Sequence, residues 1–240
     1  MIKIGILGYA GRMGQLIADE VRANDACTLV GGADRAITPA YKKAEGILLT
    51  PHADEVIAIS DVVINFTLAE ATPGFAQLAA THKKAFVTGA TGLDDRQLET
   101  LKQAAKQIPL LYAPNTSVSL AVMKRVTELA AKLLGPLDYD VHIHDQHHRA
   151  KKDAPSGTAV ALGEAVARGN GGKKKPAYSA TRAGAIVGEH EVGFIGQGEI
   201  IRLHHSVTDR RIFARGALQA ALWLHGKPAG FYGMGDVLNI

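Results

Sequence analysis

The apolar positions along the chain change their spacing in a way that divides it in two. Residues 2–8, "IKIGILG", form a short β-branched run ending in glycine, the pattern of a strand buried on both faces. The stretch after it, "RMGQLIADEVRAN", repeats Met13, Leu16, Ile17 and Val21 at helical spacing. Residues 27–34, "CTLVGGAD", predict a second strand, and the alternation continues with strands over 60–66, 84–89 and 108–115. Helices are predicted over 69–82 and 94–106. Strand–helix alternation of this kind implies a doubly wound parallel sheet of Rossmann type, with helices on both faces.

The pattern changes after Asn115. Residues 118–134 read as one long amphipathic helix, and 138–148, "DYDVHIHDQHH", alternate as a half-buried strand does. A helix over 157–169, two strands within 184–207 around the Gly196–Gly198 turn, and a final helix over 209–226 complete the series. Adjacent strands without helices between them imply a smaller α+β domain. The expected division is residues 1–117 with 208–240 as a dinucleotide-binding domain, and 118–207 for substrate binding and oligomerisation.

Composition narrows the class. The 240 residues are 47% hydrophobic and 21% charged, enough to bury a core. No apolar run reaches the roughly 18 residues that cross a bilayer, so no membrane partner is expected. A single cysteine, Cys27, forms no internal disulfide and suits the cytoplasm; it reads as a buried strand residue. The net charge of +4 raises the question of nucleic acid, through Lys173–Lys175. That run sits in a glycine-rich stretch, 169–179, which reads as a solvated flexible loop, and an aromatic content of 5% leaves little for base stacking. An anionic small molecule is the better expectation.

Two motifs carry candidate chemistry. In "GYAGRMG", Gly8, Gly11 and Gly14 stand between a strand and a helix, where a backbone must turn sharply and approach a pyrophosphate. The glycine spacing alone is unspecific; its position directly after a strand strengthens it. Asp34 lies 20 residues beyond Gly14, the distance expected of a ribose-binding acid, and Arg35 beside it suits a 2′-phosphate. "TGATG" (88–92) and "APNTS" (113–117) follow predicted strands and are expected on the nicotinamide side. The second motif is "HDQHHRAKKDAPSGTA", residues 144–159. Ser156, Gly157 and Thr158 enter a helix and offer a carboxylate cradle; a plain Ser cap explains the same residues locally. It does not explain the cluster before it, where His147 or His148 can exchange a proton and Lys151 can neutralise an acid. His142 and His144 form an HxH pair, but nothing fixes a third ligand, so no metal is expected.

The residues "HHRAKKDAPSGTA", with "GILGYAGRMG", "TGATG", "APNTS", "GEHEVGF" and "ARGALQAALWLHGKPAGFYGMGDVL", resemble the bacterial 4-hydroxy-tetrahydrodipicolinate (dihydrodipicolinate) reductases of diaminopimelate and lysine biosynthesis. The resemblance covers nearly the whole chain. It implies an NADH- or NADPH-dependent oxidoreductase that reduces a cyclic imine dicarboxylate with release of water. His147 would be the proton donor/acceptor and Lys151 a second proton donor; His148, Ser156, Gly157 and Thr158 would hold substrate. Gly8, Tyr9, Ala10, Gly11, Arg12, Met13, Asp34, Arg35, Gly89, Ala90, Thr91, Ala113, Pro114, Asn115 and Thr116 would hold the cofactor. A homotetramer assembled through the second domain is also implied. Ala150, Lys152 and Thr116 depart from the commonest family residues, and the loops at 35–58 and 169–180 are shorter. The alternatives from other classes are a dinucleotide-binding redox regulator without turnover and a basic nucleic-acid module.

Overall fold

The computed structural model describes residues 1–38 and 46–240. Contacts divide the chain into two compact units, Met1–Thr116 with Arg211–Asn239, and Ser117–Arg210 together with Ile240.

The first unit is a seven-stranded sheet built from β1 (Ile2–Leu7), β2 (Cys27–Ala33), β3 (Leu48–Thr50), β4 (Val62–Asn65), β5 (Ala85–Thr88), β6 (Pro109–Tyr112) and β11 (Gly230–Tyr232). Its order is β11-β6-β5-β4-β1-β2-β3, and every pairing is parallel. The strands are short and apolar because both faces are covered; all four residues of β4 and of β5 are buried. The first unit's helices are α1 (Arg12–Arg22), α2 (Ala53–Ile59), α3 (Thr72–Thr81), α4 (Asp95–Ala105), α7 (Arg211–Leu224) and α8 (Met234–Leu238). One face of the sheet packs Leu7, Val63, Phe86 and Leu110 against Val56, Ala76, Leu101 and Ala104. Against the other face, α7 buries Ala214, Gly216, Ala217, Ala220 and Ala221, small residues that let a helix come close to β4 and β5.

Local chemistry sets the helix ends. Asp94 accepts from the Gln97 amide at 2.7 Å while the Gln97 side chain accepts from the Asp94 amide at 2.9 Å, a reciprocal cap that starts α4. Pro73, in the first turn of α3, delays that helix to Thr72, three residues beyond the start expected from periodicity.

The second unit holds α5 (Val118–Leu134), β7 (Asp140–His147), α6 (Gly157–Asn170), β8 (Ala177–Arg182), β9 (Gly188–Ile195) and β10 (Ile200–Val207). Its four-stranded sheet runs β10-β9-β7-β8, antiparallel at the first two pairings and parallel between β7 and β8. Side chains on β7 alternate strictly, with Val141, Ile143, Asp145 and His147 inward. The first two join Leu120, Met123, Leu162, Val166, Val192 and Phe194 in one core beneath α5 and α6. The last two continue the same face as polar groups, and that parity creates the site described below.

Several elements differ from the sequence expectation. The 35–58 stretch, read as a shortened loop, contains β3 and α2 in its described part; residues 39–45 lie outside the described residues. The supposed flexible loop of 169–179 ends in β8, which pairs with β7 from His142↔Ala177 onward. Lys174 is engaged as well, its ammonium donating to the Tyr139 carbonyl at 3.1 Å. Lys173 and Lys175 on either side of it are exposed. Among the described residues no helix is long and apolar enough to cross a membrane.

Candidate active site

In the first unit the expected cofactor residues gather at the carboxyl edge of the parallel sheet. Gly8 leaves β1 with a φ of +83°, a conformation that a side chain would strain, and its amide donates to the Ala33 carbonyl at 2.9 Å. Gly14 packs directly on the turn: a Cβ there would lie 2.2 Å from the Gly8 carbonyl oxygen. Gly11 caps α1 without a side-chain hydrogen bond, which leaves the first-turn amides to meet an anion. Arg12 is exposed and Met13 partly so.

Tyr9 is fully buried, and its hydroxyl accepts from Arg22 at 2.9 Å. Its ring lies where a Cβ on Gly32 would be 2.4 Å away. Tyr9, buried whole, supports the glycine loop from within. Asp34 follows β2, accepting from the Ala10 amide at 3.2 Å and the Ala36 amide at 3.0 Å. The carboxylate thus braces the glycine loop at the place where a ribose is expected, and each oxygen keeps a second lone pair. Arg35 is exposed.

Gly89, Ala90 and Thr91 leave β5, and Ala113 to Thr116 leave β6, at the same edge. Gly89 and Ala90 are buried, as is Ala113, whereas Thr91 and Pro114 are exposed and Asn115 is partly buried. Thr116 is buried, and its hydroxyl donates to the Phe213 carbonyl at 2.7 Å. That side chain anchors the start of α7, and the Thr116 carbonyl packs against Gly216 of the same helix.

In the second unit, the candidate proton-exchanging residues stand on β7 and the loop after it. The His147 ring is 8% exposed, and its Nδ1 lies 3.0 Å from Asp145 Oδ2. Arg182, on the neighbouring β8, donates to the same oxygen at 3.1 Å and to the Asp153 carbonyl at 2.6 Å. Burial, the Lys151 ammonium and the Arg182 guanidinium hold the His147 imidazole below its ordinary range against the upward pull of Asp145. It is neutral at neutral pH. Asp145 accepts and does not donate, which puts the hydrogen on Nδ1 and leaves Nε2 to work.

Lys151 pairs with Asp153 at 2.8 Å. Burial alone would raise the Asp153 carboxyl, but the Lys151 ammonium and the backbone amides of Asp153 and Gly157 outweigh it. A substrate carboxylate at Lys151 therefore competes with one the chain already supplies. Ser156 caps α6, accepting from the Ala159 amide at 3.2 Å. Gly157 is exposed, with open space where a Cβ would stand, and Thr158 and His148 are partly buried. The structure thus brings His147, Lys151 and the Ser156 turn into one network. His142 and His144 sit apart on the outward face of β7, and His144 is bonded to Ser179 at 2.6 Å.

Sequence reasoning passed over Asp145, Arg182 and His190. His190 pairs with Asp145 across β9 and meets the His147 ring edge-on, with centroids 5.2 Å apart. Its Nε2 is 3.5 Å from Ser156 Oγ. Inward parity on β7 was a signal for Asp145; β8 and β9 supply the other two from 37 and 45 residues downstream of it. Asp145, His147 and His190 place donor atoms within 4.8 Å of one another, close enough for a metal by distance alone. Arg182 and His147 share Asp145 Oδ2 while Oδ1 has no hydrogen-bond partner, and the Arg182 and Lys151 charges beside the cluster oppose a cation.

The family models for the dihydrodipicolinate reductase N-terminus and C-terminus match residues 2–116 and 119–238. The 4-hydroxy-tetrahydrodipicolinate reductase of Campylobacter curvus is 38% identical, with all of both chains covered. That of Hahella chejuensis is 39% identical with the same coverage. The solved structure of a dipicolinate-bound dihydrodipicolinate reductase from Paenisporosarcina superposes with a TM-score of 0.84 at 22% identity, over 98% of this chain and 99% of that one. A scyllo-inositol dehydrogenase from Lactobacillus casei shares the fold at a TM-score of 0.66 and 14% identity.

Burial pushes His190 down to about 3, with the neighbouring His147 and His205 adding to the shift. A histidine whose folded pKa lies below its unfolded value binds its proton more readily when unfolded. Stability is therefore full above 6.5 and declines as pH falls from 6.5 towards about 3. His190→Gln removes this component. Urea midpoints measured across that window should fall less steeply with acidification in the variant than in the wild type.

Proposed function

The chain belongs to the dihydrodipicolinate reductase family, and from that premise we propose how its own residues perform the reaction. The activity is NAD(P)H-dependent reduction of 4-hydroxy-tetrahydrodipicolinate to tetrahydrodipicolinate with release of water, in lysine and diaminopimelate biosynthesis. The observation that carries the residue assignment is a neutral, carboxylate-held His147 beside Lys151, at the mouth of a helix that can receive an anion.

The reduced nicotinamide, when bound, supplies a hydride to the substrate ring. The glycine loop from Gly8 to Met13 holds the pyrophosphate with amides of the α1 N-terminus, and Asp34 orients the ribose. His147 Nε2 accepts a proton from the ring carbon beside C4 as the 4-hydroxyl, protonated by Lys151, leaves as water. The imidazolium then returns a proton to the carbon next to the one that receives hydride. Lys151 provides a second proton and, with the amides of Gly157 and Thr158, offsets the substrate's carboxylate charge. The net change is one hydride and one proton gained and one water lost. A regulator that binds dinucleotide without turnover explains neither the proton pair nor the family match.

The assembly is a homotetramer built through the second unit. Supporting this, α5 exposes Val122, Val126, Leu129 and Leu133 along one stripe, and β9–β10 expose Ile195, Ile200 and Ile201. Apolar surface of this extent on one unit marks a protein contact. We place the enzyme in the cytoplasm, where the lone buried Cys27 stays reduced. Light scattering of the purified chain should give four times the monomer mass; a monomer at micromolar concentration would remove the tetramer reading.

Turnover is tested by NADH oxidation on addition of freshly made 4-hydroxy-tetrahydrodipicolinate. His147→Gln should lower kcat by ~10²-fold or more, and Lys151→Met should do comparable damage while also weakening substrate binding. NADH affinity should survive both. Lys173→Ala, in the exposed turn before β8, should leave turnover intact, and the reverse pattern would dismiss the assignment. With Asp34 and Arg35 offering opposed contacts, NADH and NADPH affinities should lie within about tenfold, roughly 1.4 kcal/mol. Calorimetric titration of both cofactors checks this.

A further inference from the structure

We propose that Asp145, clamped by Arg182, is the positioning residue for His147: it holds the hydrogen on Nδ1 and presents Nε2 as the proton-exchanging nitrogen. The proposal rests on the assignment of His147 as the proton donor/acceptor and extends the machinery to two residues behind it.

Three observations converge on this arrangement. Asp145 is fully buried on the core face of β7, where a carboxylate has no reason to stand unless it is used. Its Oδ2 faces two nitrogens, His147 Nδ1 at 3.0 Å and Arg182 Nη2 at 3.1 Å, and because a guanidinium can only donate, that oxygen is placed as an acceptor. On the far side of the ring, Gly188 leaves Nε2 open: a Cβ there would lie 3.2 Å from that nitrogen and 3.5 Å from the adjacent ring carbon. One ring nitrogen is held, and the chain withholds a side chain from the other.

The charges around the ring come from every element packed against it. Asp145 stands on β7, Lys151 on the loop that follows, Arg182 on β8 and His190 on β9, with His205 beyond His190 on β10. Asp145 favours the imidazolium, whereas Lys151 and Arg182 oppose it. The two members of the clamp therefore pull the imidazole in opposite directions. A carboxylate alone would fix the tautomer but hold His147 too readily as a cation to accept a proton. Burial and the Lys151 ammonium offset most of that upward pull, and Arg182 adds to them without disturbing the tautomer.

The test combines a spectroscopic and a kinetic reading on the full chain. Nitrogen-15 NMR of the wild-type imidazole should show His147 with hydrogen on Nδ1 at neutral pH. In Asp145→Asn, whose amide can either accept or donate, that preference should be lost. Its kcat should fall by ~10²-fold or more while KM for the substrate stays within about threefold. The acid limb of kcat/KM should move to lower pH in Asp145→Asn and to higher pH in Arg182→Gln, opposite shifts that a merely structural pair would not produce. Hydrogen on Nε2 in the wild type, or a folded Asp145→Asn with unchanged tautomer and kcat, overturns the proposal. If Asp145→Asn does not fold, the wild-type tautomer and the Arg182→Gln limb still decide. Absence of reductase turnover in the wild type would remove the proposed function, while the tautomer measurement would judge the clamp separately.

Discussion

A carboxylate buried at the inner face of a strand sets the terms for the second unit. Asp145 follows Ile143 on the core side of β7, and leaving such a charge without a partner costs about 3–5 kcal/mol. Arg182 and His147 meet the demand together, one with charge and one with a ring N–H. The requirement reaches further than the ion pair. Arg182 stands on β8, and its position beside His147 depends on the parallel β7–β8 pairing. Because the same guanidinium also bonds the Asp153 carbonyl, the loop carrying Lys151 is tied to the strand carrying His147. One buried charge thus couples sheet register to the placement of both proton-bearing side chains.

The first unit solves a different problem with backbone. A parallel sheet covered on both faces brings all of its strand ends to one edge, and order reversal between β1 and β4 opens a crevice there. Side chains contribute little to that edge. Tyr9 and Thr116 turn inward to hold Arg22 and Phe213, and both residues are buried whole. Asp34 adds the fixed negative charge, braced by the Ala10 amide so that loop and carboxylate move as one piece. Amides and one acid suffice for a ligand whose recognisable features are phosphates and a diol.

The two halves were unequally legible. Period-two alternation in 138–148 and helical spacing in 118–134 read directly as β7 and α5, because each element has one buried face. The elements missed are short or ambiguous: β3 and β11 have three residues each, α8 has five and α2 has seven. Segments of that length carry less than two periods of a strand or helix pattern, and tertiary pairing decides them. β8 was hidden for another reason. Its burial is slight, so "AYSATR" shows no apolar face, and its neighbour is the glycine–lysine run.

The candidate site follows the same division. His147, Lys151 and Ser156–Thr158 lie within 12 consecutive residues and could be seen as a cluster. Arg182 and His190 belong to other strands, and only the β7–β8 and β7–β9 registers bring them beside His147 and Asp145. Parity carries the remaining information. In "VHIHDQHH" the eye goes to four histidines, yet His142 and His144 share the outward face while His147 shares the inward face with Asp145. A one-residue slip of register would exchange the two sets, placing the surface histidines in the core and His147 in solvent. Val141 and Ile143 prevent that slip by their own burial in the core. The apolar residues at the start of β7 therefore select which histidine at its end is desolvated, and desolvation is the largest influence holding His147 neutral and ready to accept a proton.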